Sequence, residues 1–266
     1  MQLPELDHLR AILIDAARSE LLPRFAGVQR RHKADGSIIT AADLAAQENI
    51  RAALRQRWPQ YAFLGEEMSE QEQAALFAQD GAGLWCLDPL DGTSNYAAGL
   101  PCFAISLALL VERRIVLGMV YDPVRDECFA AAHGQGATLN GAPLRCVPAG
   151  LPLKRALAVV DFKRLAPALA AAIASRPPYS SQRSFGSVAL DWCWLAANRY
   201  HVYLHGKQKL WDYAAGALIL AEAGGFSATL DGAPVYAHTL TPRSAVAAPD
   251  QDLFNKWQTY LRAAGA

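Results

Sequence analysis

No stretch of this 266-residue chain is long and apolar enough to span a bilayer. The longest apolar run, 102–111, is interrupted only by Ser106 and stops at Glu112-Arg113-Arg114, well short of the ~20 residues a spanning helix needs. The opening MQLPELDHLR lacks the basic-then-apolar layout of a signal peptide. Net charge is absent too, with 25 Lys and Arg against 25 Asp and Glu. That excludes a grip on nucleic acid or an anionic membrane driven by bulk charge. Cysteine is scarce and odd in number: Cys86, Cys102, Cys128, Cys146 and Cys193, with no Cys-x-x-Cys pair. Neither a disulfide framework nor a structural zinc site is expected. No internal repeat or low-complexity tract is visible. What remains is 52% hydrophobic and 19% charged, enough to bury a sizeable core as one large α/β domain or two halves sharing a core. The expectation is a soluble protein of the reducing, cytoplasmic compartment.

The first half reads as mixed α+β. Leu6, Leu9, Ile12, Leu13, Ala16, Ala17 and Leu21 have helical spacing up to Pro23. Thr40, with Asp43 three residues on, and Ser69-x-x-Glu72 mark two further helix starts. Short apolar strands are predicted at 61–64 and 84–87, a hairpin at 105–111 and 115–120, and a strand at 127–132. Pro148, Gly150 and Pro152 suggest a linker, so the halves are taken as 1–147 and 148–266. In the second, strands at 156–160, 200–204 and 244–248 alternate with helices from about 164, after Gly186, at 211–223 and from Asp250, an α/β pattern.

Acidic residues at strand and helix ends are the informative feature. In Asp88-Pro89-Leu90-Asp91-Gly92-Thr93 an apolar strand runs into two aspartates three residues apart. Pro89 should turn the chain there, letting both carboxylates face one point. Gly92 and Thr93 then offer amides, at a helix N-terminus, that suit an anion. Carboxylates beside an anion site make sense with hard cations between them, above all Mg²⁺. A bare Asp-x-x-Asp-Gly is equally an Asx-type surface turn. Gly65-Glu66-Glu67 stands at another strand end, and Trp211-Asp212 opens a helix, where an acid can be a simple cap.

Taken together these segments resemble the inositol monophosphatase family, of the lithium-sensitive, magnesium-dependent phosphatase superfamily. The resemblance rests on Gly65-Glu66-Glu67, the Asp88–Thr93 motif, Trp211-Asp212-Tyr213-Ala214-Ala215-Gly216 and Glu222-Ala223-Gly224-Gly225. Lys33 with Thr40-Ala41-Ala42-Asp43, and Arg183-Ser184-Phe185-Gly186-Ser187, add to it. It implies a layered α-β-α-β-α sandwich of the inositol monophosphatase and fructose-1,6-bisphosphatase type. It also implies a homodimer and sensitivity to lithium. Glu66, Asp88 and the Leu90 carbonyl would hold one Mg²⁺, and Asp88, Asp91 and Asp212 a second, with a third, weaker ion leaning on Glu66. Thr93, oriented by Asp43, would position the attacking water beside Glu66. The substrate, a small phosphorylated metabolite, would meet Asp91, Gly92, Thr93, Gly186, Ser187, His205 and Lys33.

One departure bears on substrate. Family members that prefer myo-inositol phosphate carry a Glu seven residues before the metal-binding Asp, where this chain has His205. A carboxylate accepts two hydroxyl hydrogen bonds; a neutral imidazole accepts one and donates one. Lys207 and Lys209 could meet a second phosphate, though a solvated loop is the plainer expectation; Asp161-Phe162-Lys163 could touch substrate, though a plain turn is the plainer expectation. His201 and His205 are discounted as a metal pair, being four residues apart on a strand. Trp194 and Leu195 are expected in the core. Three functions compete: a Mg²⁺-dependent phosphomonoesterase acting on a small polyol or sugar phosphate, a 3′(2′),5′-bisphosphate nucleotidase, and a regulatory or binding protein that uses the acidic site without turnover. Neither a nucleic-acid nor a membrane partner is expected.

Overall fold

The computed structural model of the protein describes residues 3–25, 27, 31–32, 38–79 and 81–265. Among these, two short strands pair antiparallel, β1 (Arg31–His32) and β2 (Ile38–Ile39). The remaining strands form two sheets of seven and five strands, and helices occupy the layers outside and between them.

The first outer layer is α1 (Leu6–Ala16), which runs on through a π-turn, Ala17–Leu21, and α2 (Ala41–Arg57). The start of α2 is the predicted capping box: Thr40 Oγ1 accepts from Ala42 N, and Asp43 Oδ2 accepts from Thr40 N. Leu9, Leu13, Ile50 and Leu54 pack against Trp85, Leu87, Leu107 and Met119 on one face of the larger sheet.

That sheet runs in strict chain order: β3 (Ala62–Gly65), β4 (Leu84–Asp91), β5 (Ala104–Val111), β6 (Arg114–Asp122), β7 (Glu127–Ala132), β8 (Ala137–Leu139) and β9 (Ala142–Leu144). Only β3 and β4 are parallel, joined by α3 (Glu70–Phe77). Neighbours along a strand face opposite layers, so Trp85 and Leu87 point to α1 and α2 while Cys86 points to the middle of the molecule. Burial on both faces explains the near-continuous apolar run in β5.

The middle layer is α6 (Val188–Ala196) and α7 (Leu210–Glu222). Glycine permits the closest approaches here. A Cβ on Gly118 would stand 2.7 Å from the Ala215 carbonyl oxygen, and one on Gly216 2.4 Å from Trp192 Cβ. The smaller sheet has the order β11-β10-β12-β14-β13. Its strands are β10 (Leu157–Asp161), β11 (Ser181–Arg183), β12 (Val202–Gln208), β13 (Phe226–Ala228) and β14 (Arg243–Ala248). Val159, Tyr203 and Ala247 face α6 and α7, whereas Val160, Leu204 and Val246 face the last layer, α5 (Pro167–Ser175) and α8 (Gln251–Gly265). The result is the layered α-β-α-β-α sandwich.

Two strands outrun their expected ends. β4 continues through Pro89 to Asp91, and β12 continues past Leu204 to Gln208. Both extensions carry a register break, between Asp88 and Asp91 and between His205 and Gln208. Among the described residues no helix is long and apolar enough to cross a membrane, and all five cysteines are free.

Candidate active site

The break in β4 brings its two aspartates together. Asp88 pairs with Ser106 and Asp91 with Ala104, so three steps on β4 match two on β5. In an unbroken strand, residues three apart face opposite sides; one extra residue returns the second to the side of the first. The segment bulges where a turn was expected. Within it, Leu90 N donates to Asp88 Oδ1 at 2.9 Å. Gly92 follows at φ 92°, a left-handed conformation, and a Cβ there would stand 2.8 Å from the Cys102 carbonyl oxygen. It caps the short helix α4 (Thr93–Ala98).

Glu66 is brought in from the end of β3. Its amide donates to the Leu87 carbonyl at 3.0 Å, continuing the parallel pairing. Gln73 Nε2 donates to the Gly65 and Glu66 carbonyls, and Gln47 Oε1 accepts from Glu67 N. Asp212 sits in the first turn of α7, its Oδ2 accepting from Lys209 N at 2.8 Å. It serves as a helix cap and faces the site as well.

Glu66, Asp88, Leu90, Asp91, Gly92, Thr93, Gly186, Ser187, His205 and Asp212 all line one cavity of about 560 Å³ between the two sheets. Asp91 is tied across it: Ser187 Oγ donates to Asp91 Oδ2 at 2.5 Å and Ala189 N at 2.8 Å. Asp43 stands behind the cavity, 1% exposed. Its Oδ2 accepts from Thr40, and its Oδ1 lies 3.1 Å from Thr93 Oγ1, which is also 2.9 Å from the Leu90 carbonyl. Lys33 lies outside the described residues.

Burial dominates the electrostatics. It pushes Asp88 and Asp212 well above the ordinary carboxylate range, helped by Glu66 and the other site carboxylates. Asp91 is pushed up to about 6, burial outweighing the Ser187 and Ala189 hydrogen bonds. Asp43 is raised by burial as well. Crowded acids that raise one another are what a multivalent cation relieves. Among the described residues no three donors are drawn into a closed cage. Mg²⁺ does not require one, since it is held by one or two carboxylates, with water and phosphate completing its shell. The hard-oxygen donor set fits that ion.

Some residues for which a plainer place was expected line the cavity too: Asp161 and Lys163, expected in a plain turn, and Lys207 and Lys209, expected in a solvated loop. Arg164, given no role in the sequence, joins them. So does Asp191, on α6, 4% exposed, whose Oδ1 has no hydrogen-bond partner. Asp161 reaches the cavity through strand register and Asp191 through the docking of α6, neither of which a local motif marks. His201 and His205, discounted as a metal pair, have separate partners: His201 Nδ1 accepts from Leu157 N, while His205 Nε2 lies 3.1 Å from Asp161 Oδ2.

The model of the inositol monophosphatase family matches residues 5–263. Over 244 residues the chain is 34% identical to a Nus factor SuhB of Haemophilus influenzae, covering 89% of this chain and 88% of that one. It is 35% identical to inositol monophosphatase 1 of Solanum lycopersicum over 201 residues, 73% of this chain and 72% of that one. The crystal structure of the extragenic suppressor protein suhB of Bartonella henselae superposes with a TM-score of 0.83 at 29% identity, covering 97% and 98% of the two chains.

Proposed function

The chain belongs to the inositol monophosphatase family, and from that premise we propose that it is a Mg²⁺-dependent phosphomonoesterase that hydrolyses a small polyol or sugar phosphate. The observation that carries the reading is the single cavity lined by Glu66, Asp88, Asp91, Asp212 and Thr93. Glu66, Asp88, Asp212 and Asp91, with the Leu90 carbonyl, would hold two Mg²⁺ ions. When bound there, Mg²⁺ supplies Lewis-acid stabilisation of phosphoryl charge and lowers the pKa of water.

The protein's own groups then orient the reaction. The Thr93 hydroxyl has one proton and two acceptors for it, Asp43 Oδ1 and the Leu90 carbonyl. Its lone pairs are therefore left to accept a hydrogen from the attacking water. The burial that raises Asp43 suits it to share the proton that Thr93 gives up. The amides of Gly92 and Thr93, at the start of α4, hold phosphate oxygens. Gly186 and Ser187 form the wall beside the leaving group. Incubation with glycerol 2-phosphate or inositol 1-phosphate tests the proposal: phosphate release that requires Mg²⁺ supports it, and no release at any Mg²⁺ concentration rejects it.

The name of the Haemophilus relative, Nus factor, motivates a second reading, in which the chain acts as such a factor through a macromolecular partner. A partner that copurifies with full-length protein of negligible ester turnover would favour it. If Asp88→Asn loses turnover and keeps that partner, the two roles are separate.

A further inference from the structure

The cavity is also lined by Lys163, Arg164 and Lys207, brought there by two elements locked together. The first is the 3-10 turn Phe162–Arg164 that follows β10, capped by Asp161, whose Oδ1 accepts from Arg164 N at 3.2 Å. The second is the break in β12, where Lys207 lies between His205 and Gln208. A Cβ on Gly206 would stand 1.8 Å from the Arg164 carbonyl oxygen and 2.9 Å from Leu165 N. Only glycine allows so close a contact, and the contact fixes the turn against the break.

A buried pair fastens the same junction. Asp161 and His205 are register partners on parallel strands. His205 is 4% exposed, and its Nδ1 accepts from Lys207 N at 3.2 Å. That leaves the hydrogen on Nε2, which donates to Asp161 Oδ2 at 3.1 Å. The Asp161 carboxylate is thus engaged by His205 and by the Arg164 amide. The Arg164 charge acts on it as well, and Lys163, Arg164 and Lys207 put three cationic side chains into the lining beside this engaged carboxylate. Lys209 stands apart from these three, 5.3 Å from the Trp211 ring centroid, where its charge acts on Asp212.

We propose that Lys163, Arg164 and Lys207 form a subsite for a second anionic group on the substrate, a phosphate or a carboxylate carried by the leaving group. The proposal rests on the phosphomonoesterase reading and narrows its substrate class. A neutral polyol leaving group gains little from three cations, whereas an anionic one gains charge-assisted hydrogen bonds that steer and hold it.

Two esters differing in one group give the test. Glycerol 2-phosphate and 2-phosphoglycerate share a scissile bond, but the second replaces a hydroxymethyl with a carboxylate; fructose 1-phosphate against fructose 1,6-bisphosphate asks the same of a phosphate. Expected is a kcat/KM at least ten-fold higher for one anionic ester over its partner, carried in KM and reduced by added salt. The pair that shows it tells carboxylate from phosphate. In Lys163→Gln/Lys207→Gln the preference should shrink to within two-fold, and in Lys163→Arg/Lys207→Arg it should return. Equal kcat/KM within both pairs, or an equal loss on neutral and anionic esters in the Gln variant, would overturn the subsite. If no ester is hydrolysed, the phosphomonoesterase reading fails on its own. Isothermal titration of the same esters then decides: tighter binding of an anionic ester, lost in the Gln variant, upholds the subsite, and equal binding refutes it.

Discussion

Asp88 and Asp91 are neighbours in the motif but differ in what else they do. Asp88 accepts one local amide, from Leu90. Asp91 holds the start of α6 through Ser187 and Ala189. Asp88→Asn should therefore cut turnover by at least ~10³, the scale of losing a charge-stabilising group, with a melting temperature equal to or above that of the parent. Asp91→Ala should lose turnover and also melt lower, because a buried hydroxyl and amide are left unsatisfied, at ~1–3 kcal/mol each. A colorimetric phosphate assay beside thermal melts checks both; equal melting of the two variants would contradict the distinction. The Asp88–Thr93 motif was legible in the sequence because its parts are local. Asp191 was not, and Asp161 stood only as the lesser reading of a turn, because strand register and helix docking, not adjacent residues, carry them to the cavity.

At the scale of elements, capping chemistry read well from sequence. Thr40 with Asp43, and Ser69 with Glu72, start α2 and α3 as expected, because a cap depends on residues within one turn. The ends of β4 and β12 did not read well. Pro89 argues for a stop, but a bulge absorbs it and the strand goes on. β11 and β13, three residues each, are too short for a period to emerge. Two glycine contacts make element-scale predictions. Gly118→Val would drive a side chain into the Ala215 backbone, 2.7 Å from its first carbon, and separate α7 from β6. A loss of ~1–3 kcal/mol, as for other overpacked cores, should appear in urea denaturation. Gly206→Ala should loosen the turn bearing Lys163 and Arg164, raising KM for anionic esters more than for neutral ones.

For the molecule as a whole, the buried acids set the response to pH. The folded metal-free protein keeps a proton on Asp91 up to about pH 6, whereas an unfolded chain releases it near pH 4. Between those values the native state binds more protons, so stability rises as pH falls through 6 and levels off near 4. In EDTA the protein should melt higher at pH 5 than at pH 7.5; saturating Mg²⁺ should raise the melt at pH 7.5 and remove that slope, because the cation takes the proton's place. A melt in EDTA that drops on acidification over this range would contradict the assignment. Asp161 acts in the opposite sense: burial pushes it up, but the hydrogen bonds from His205 and Arg164 and the nearby Arg164 charge bring it below the usual range, so its contribution fades only on strong acidification. The bond from Ser187 to Asp91 joins the larger sheet to a helix of the middle layer, so any ligand that steadies this carboxylate also steadies the seam. Amide deuterium uptake at residues 186–191, far along the chain from the Asp88–Thr93 motif, should slow when Mg²⁺ and inorganic phosphate are added together.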